Sequence, residues 1–214
     1  MSLNQKKHEW VPYQEIKNTI ESMTNPEIKA FTSLMFATGC RVGEMSYNYE
    51  HNYAVYTIDD EDNKIKTGEK KVVTNGIRVK DIDINESRIR IRSPNFKYRK
   101  MTEKKAYVTL KLEPWLFWII VNYISGWKPE EYIFSHSKRY YQYQLKKAGW
   151  KYTSHSLRKS RANFMLFDVS MNPRAVADML GHADLTQIMT YTKTPESEYL
   201  DKMDKAKLPG DNLE

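Results

Sequence analysis

The amino-acid sequence predicts an α+β fold, mostly helical, in which helices surround one small three-stranded antiparallel sheet. Three observations predict it. Apolar residues recur at helical spacing over most of the chain, and those runs are bracketed by N-cap residues and glycine stops. Between residues 76 and 110 the apolar period falls to two, as a half-buried strand requires.

The elements follow in order. TNPEIKAFTSLMFATG is a capped helix with Asn25 as N-cap, Pro26 in the first turn and Gly39 as stop, and its stripe is Ile28, Phe31, Leu34, Met35 and Thr38. RVGEMSYN starts a second, shorter helix. Residues 49–76 are a polar insertion with an acidic run from Asp59 to Asp62 and a Lys-rich tail, KIKTGEKK. The segment is either a long loop or an inserted hairpin, and the acidic run favours the loop. GIRVKDIDI, SRIRIRS and KAYVTL are three short strands, with NES as a tight turn. In the middle strand Ile89 and Ile91 face one way and Arg88, Arg90 and Arg92 the other.

EPWLFWIIVNYISG is apolar nearly all round and is expected to be buried. SKRYYQYQLKKAG is a basic, aromatic helix ending at Gly149. The next helix opens on SHSLRKSRANFML, with Ala162, Met165, Leu166 and Val169 as its stripe. NPRAVADMLG is compact, with Asn172 as cap, Pro173 at the first helical position and Gly181 as stop. DLTQIMTYT begins at Asp184 with Gln187 placed for a capping box. Residues 194–214 hold a short amphipathic tail helix, acids early and lysines late, as the helix dipole prefers.

The chain has 214 residues and carries a net charge of +7, which points to a polyanionic partner, nucleic acid first and an anionic membrane surface second. No apolar run approaches the ~18 residues of a membrane span. The N-terminus MSLNQKKHEW lacks an apolar signal core, so a cytoplasmic protein is expected. A single cysteine, Cys40, excludes an internal disulfide and cysteine-held zinc and suits a reducing cytosol. Five histidines leave a His/carboxylate metal site formally open.

Three motifs carry chemistry. TGCRVGE puts Arg41 just past a helix stop with Glu44 one turn on. SHSLR puts His155 and Arg158 three apart at a helix start, where free N–H groups favour an anion and phosphate is the usual guest. LGHADLTQIMTY places His182 nine residues before Tyr191. Taken singly, each has an ordinary explanation. An arginine after a helix stop caps the helix, and His182 directly follows a stop glycine.

In this order and spacing the three motifs resemble those of the tyrosine recombinase (phage integrase) family, with its T-G-x-R-x-x-E box, H-x-L-R box and L-G-H box followed nine residues later by a tyrosine. The likeness runs from about Trp10 to the C-terminus and takes in DIDI…RIRI and KYTSHSLR. It implies a catalytic-domain fold and a DNA strand-transferase acting on double-stranded DNA through a covalent 3′-phosphotyrosyl intermediate. Tyr191 is then the nucleophile, Arg41 and Arg158 the phosphate clamp, and His155 and His182 the groups that bond the same phosphate and manage the tyrosyl proton. The family's general acid is a lysine on the turn after its second strand. Here the candidates are Lys97, Lys100, Lys104 and Lys105; Lys100 comes within one residue of the family's distance from YVTL, and Lys97 is next.

The chemistry fits these residue types. A phenol of pKa near 10 must lose its proton as it attacks, and planar guanidiniums suit the charge that builds on non-bridging oxygens. No cofactor or metal is implied, because the ester stores the bond energy. Glu44 and Cys40 are expected to be structural, and Lys159 and Arg161 to add positive charge beside the clamp. The resemblance further implies a single catalytic domain over 1–214 and a tetramer of this chain on paired DNA sites; most relatives also carry an N-terminal core-binding domain, absent from 1–214, so the chain is expected to be either an excised fragment or one of the shorter members. The resemblance also implies that the tail, with its stripe Tyr199, Met203 and Ala206, docks on a neighbour. Rival readings are supercoil relaxation of the type IB topoisomerase kind, a catalytically silent DNA-binding module, and a His-dependent metal nuclease.

Overall fold

The computed structural model describes residues 10–46, 50–61, 63–74, 76–92 and 107–181. Seven helices surround a three-stranded antiparallel sheet, with a separate two-stranded hairpin, among the described residues. The helices expected from Asp184 and over 194–214 lie outside the described residues.

Helix α2 (Pro26–Thr38) is the centre of the core. Asn25 caps it by accepting from the Ile28 N–H at 3.1 Å, and Pro26 sits where a missing N–H costs nothing. Every residue from Ala30 to Thr38 is buried, so past its first turn the predicted stripe widens to all sides of the helix. The buried hydroxyls of Thr32, Ser33 and Thr38 do not violate that core, because each donates to the carbonyl four residues back, at 2.7, 2.8 and 2.7 Å. Around α2 pack α1 (Tyr13–Ser22), α4 (Pro114–Tyr123), α5 (Lys138–Lys147) and α6 (Ser154–Asn163). Phe31 stacks flat on Tyr141 of α5 with ring centroids 4.0 Å apart.

Helix α4 is less enclosed than its composition predicts. Leu116, Phe117 and Ile120 are buried, but Trp118 is 57% exposed. A single helix can turn only part of its circumference to a neighbour, and here α2 covers the side away from Trp118.

The sheet runs β3 (Ile82–Asp83), β4 (Arg88–Arg92), β5 (Tyr107–Lys111), with Ile82 opposite Ile89, Ile89 opposite Leu110 and Ile91 opposite Val108. Ile82, Ile89 and Ile91 face the core while Arg88 and Arg90 face solvent, as the alternation predicts; the Arg92 side chain lies outside the described part. Strand β3 is shorter than its pattern suggests. The Arg78 N–H donates to the Asp81 carboxylate at 2.8 Å, which winds Val79–Asp81 into a 3₁₀ turn before pairing begins.

The polar insertion takes the hairpin alternative, against the preference for a loop. Strand β1 (Glu50–Ile58) pairs antiparallel with β2 (Lys64–Thr74), with an irregularity between Ala54 and Tyr56. Asp59 shapes its turn: Oδ1 accepts from the N–H groups of Glu61 at 3.0 Å and Asn63 at 2.8 Å. The segment's overall polarity hides the β-favouring run YAVYTI.

Helix α6 ends in a π-helical turn, Phe164–Asp168, that reverses the chain into α7 (Pro173–Leu180). The turn breaks the predicted stripe. Ala162 and Met165 are buried in a small second core with Val176, Ala177 and Leu180, whereas Val169 is exposed. Asn172 caps α7 and Gly181 ends it in the left-handed conformation, as expected. Among the described residues no helix is long and apolar enough to cross a membrane.

Candidate functional site

Two of the three motifs and the opening of the third meet at one buried guanidinium. Gly39 ends α2 with φ 67°, a conformation that costs glycine nothing, and the chain turns there into Cys40 and Arg41. A Cβ at Gly39 would also fall well inside van der Waals contact of Leu180 Cδ2. This position therefore requires glycine for its backbone and for its neighbour.

Arg41 is the N-cap of the short helix α3 (Val42–Met45). Its backbone N–H donates to Glu44 Oε2 at 2.7 Å and its Nη1 donates to Glu44 Oε1 at 2.9 Å. One carboxylate thus satisfies a helix N-terminus and orients the guanidinium. Arg41 remains 45% exposed while Glu44 is only 18% exposed, so Glu44 has the structural place expected of it.

Arg158 differs from Arg41 in every respect. It is 1% exposed. One terminal nitrogen donates to the Gly39 carbonyl at 2.7 Å and the other to the Leu180 carbonyl at 2.5 Å. Gly39 ends α2 and Leu180 is the last residue of α7, so the cation lies between the negative ends of two helix dipoles. A buried lone guanidinium is prohibitive. Each charge-assisted bond returns about 1.5–3 kcal/mol, and the dipoles add to it. His155, at the first turn of α6, is exposed, whereas Arg158, three residues on, is buried.

The bonds of Arg158 order the site. Gly39 stands two residues before Arg41, and Leu180 two residues before His182. One side chain therefore ties the TGCR turn, the HSLR helix and the start of LGH at a single point. Cys40, within that turn, is fully buried, as expected of a small hydrophobe. Its thiol is pushed up to about 12, first by burial and then by the Glu44 carboxylate, while a bond to Thr38 and the charges of Arg158 and Arg41 pull the other way.

Lys97, Lys100, Lys104, Lys105, His182 and Tyr191 lie outside the described residues. Among the described residues no group of three or more His, Cys, Asp and Glu side chains is placed to hold a metal ion.

Arg161 has a place that sequence reasoning missed. It is 1% exposed and pairs with the Glu113 carboxylate, so it does not add free charge beside the clamp. Its guanidinium lies 5.6 Å from the ring centroids of both Phe36 and Phe164. The available signal was its position: a cation one turn after Arg158, on the face of α6 that turns inward.

The family model described as "Phage integrase family" matches residues 74–198, more than half of the chain. The chain belongs to the phage integrase family. The matched stretch holds the HSLR and LGH motifs and Tyr191, while Arg41 precedes it. Tyrosine recombinase XerA of Pyrococcus horikoshii is 26% identical over 200 residues, covering 91% of this chain and 60% of that protein. The chain thus spans about three fifths of the length of the curated relative it matches. Among solved structures, a XerA recombinase is similar with a TM-score of 0.64 at 19% identity, covering 94% of this chain and 66% of that one. The catalytic domain of bacteriophage HP1 integrase gives a TM-score of 0.53 at 16% identity, over 96% of this chain and 98% of that one. The Tn1549 transposon integrase, in complex with a circular intermediate DNA, gives 0.57 at 11% identity, over 96% and 68%. The fold is that of a tyrosine recombinase catalytic domain.

Proposed function

We propose that the chain is a site-specific DNA recombinase that breaks and rejoins strands through a covalent tyrosyl ester. The observation that carries this reading is the convergence of the TGCR turn, the HSLR helix and the start of LGH on the Arg158 guanidinium. Nothing in packing alone asks that these three stretches meet at a cation. A phosphate seated over the Gly39–Arg41 turn would have the exposed Arg41 guanidinium beside it, the buried Arg158 charge beneath it and the exposed His155 at its edge. Arg41 can give parallel hydrogen bonds to non-bridging oxygens, and Glu44 holds it in place without closing it off.

In the reaction the phenolic oxygen of Tyr191 attacks phosphorus, the P–O5′ bond breaks, and a 3′-phosphotyrosyl ester and a free 5′-hydroxyl result. The tyrosyl proton passes to a neighbouring acceptor, with His155 and His182 as its managers. The departing 5′-oxygen takes a proton from a lysine, Lys100 first and Lys97 next. The guanidiniums offset the charge that builds in between. Attack by the 5′-hydroxyl of a partner strand reverses the same steps. Double-stranded DNA is the substrate, four copies on two DNA sites are the assembly, and the DNA-associated cytoplasm is the setting.

The test is a nicked suicide substrate analysed on a denaturing gel. Wild type is expected to yield a protein–DNA adduct and Tyr191→Phe none. An adduct undiminished in Tyr191→Phe would sink the reading, and cleavage that requires a divalent cation would favour a metal nuclease. Site-independent relaxation of a supercoiled plasmid would move the chain to the topoisomerase class.

A further inference from the structure

Glu113 and Arg161 sit where the sheet meets the helix that bears Arg158. Glu113 is the residue before α4 and follows β5 by one residue, at the opposite end of that strand from the β4–β5 connection. Arg161 lies one turn after Arg158 on α6. Its Cγ is 3.7 Å from where a Cβ of Gly39 would be, so its stem packs against the turn whose carbonyl Arg158 holds. Its head is boxed by Phe36 of α2 and Phe164 of the π turn.

The pairing is incomplete. Arg161 Nη1 meets Glu113 Oε1, yet Arg161 Nε and Glu113 Oε2 are buried without a hydrogen-bond partner among the described residues. Burial lowers the Arg161 pKa, and the Glu113 charge opposes that shift. Well-packed apolar side chains commonly match or exceed the stability of such a pair. An under-satisfied buried ion pair is therefore weak evidence for stability, and its directional character is what distinguishes it from an apolar contact.

We infer that Glu113 and Arg161 are positioning residues whose ion pair locks α6 to the β5–α4 corner and so holds Arg158 in register with the Gly39–Arg41 turn. The consequence for strand cleavage rests on the function proposed above; the consequence for the turn itself does not. The pair joins two parts of the fold that are remote in sequence, the corner where β5 leads into α4 and the arginine helix.

The experiment compares the full-length wild type with Glu113→Leu/Arg161→Met, which replaces the pair by apolar groups of similar size, and with Arg161→Lys, which keeps a cation for Glu113. The double variant is expected to melt no lower than wild type and to bind DNA within about three-fold. Its cleavage rate at saturating nicked substrate should fall about 100-fold, the scale of an ångström-sized misplacement. Arg161→Lys should recover at least about ten-fold of that loss. Amide hydrogen exchange at Cys40, Arg41 and Gly181 should quicken in the double variant at unchanged melting temperature, a readout that needs no reaction. Wild-type exchange at those amides in a folded double variant would overturn the inference whether or not the chain cleaves DNA. So would a double variant that cleaves at the wild-type rate. Absence of any adduct with wild type would count against the proposed function alone, with exchange still deciding the positioning role.

Discussion

Arg158 and Arg161 lie one turn apart on α6, are equally buried, and are accommodated in opposite ways. Arg158 donates to neutral carbonyls at two helix ends, so oriented dipoles stabilise its charge. Arg161 faces a carboxylate and two aromatic rings, so its charge is cancelled locally. The contrast teaches how one helix separates two tasks. One cation is held by the carbonyl ends of two helices, and the other is neutralised by a carboxylate while it ties elements together.

The largest effect that would sharpen this contrast is expected from Arg158→Ala. It leaves two carbonyls buried without donors and releases both motif turns, so stability should fall by about 3–5 kcal/mol and adduct formation should vanish. Arg158→Lys separates the two consequences. A single ammonium cannot span both carbonyls in the planar geometry of a guanidinium, and a folded protein with cleavage reduced about 100-fold or more is expected. Denaturant melts and the suicide-substrate gel check both. Next in size is Arg161→Ala, at about 2–4 kcal/mol; the effect is smaller because Glu113, 24% exposed, regains water once its partner is lost. A loss greater than that of Arg158→Ala would break the comparison.

Gly39→Ala follows, at about 1–3 kcal/mol, since alanine is strained at φ 67° and its methyl would overlap Leu180. Its cleavage defect should exceed what the stability loss explains, because the Gly39 carbonyl is an Arg158 acceptor. Glu44→Gln is expected to be smallest in stability, about 0–1 kcal/mol, because Arg41 is half exposed. It should still slow cleavage by freeing that guanidinium to wander.

The Cys40 thiol gives a check through pH. Its folded pKa, about 12, lies above the ordinary thiol value of 9.0. Stability is therefore undiminished by this group below pH 9, and is lost as pH rises from 9 towards 12, where the unfolded chain ionises first. Iodoacetamide at pH 8 should leave the folded protein unmodified at Cys40 and label it on unfolding. Rapid labelling of the native protein would mean that the Gly39–Arg41 turn opens far more readily than its contacts imply.

Much of this was legible in the amino-acid sequence. Caps and stops marked α2 and α7 to the residue, because Asn25, Pro26, Gly39, Asn172, Pro173 and Gly181 act through local backbone chemistry. The period of two found the sheet. Side-chain partners across the fold were less visible. The inward turn of Arg158 depends on the Gly39 and Leu180 carbonyls, which are 119 and 22 residues away in sequence. The Arg161 pair depends on Glu113, 48 residues away. The hairpin was obscured for a different reason: its turn is acidic and its second strand Lys-rich, so average polarity outweighed the β-favouring first strand. The exposure of Trp118 shows the opposite failure, since apolar composition does not say how much of a helix its neighbours cover.

A structure of the Tyr191→Phe protein bound to duplex DNA tests the central claim most directly. The account predicts a backbone phosphate seated on the Gly39–Arg41 turn, contacted by Arg41 and His155, with Arg158 directly beneath and still joined to α2 and α7. A phosphate held on another face, with the turn vacant and the Arg158 side chain remote from it, would contradict the account.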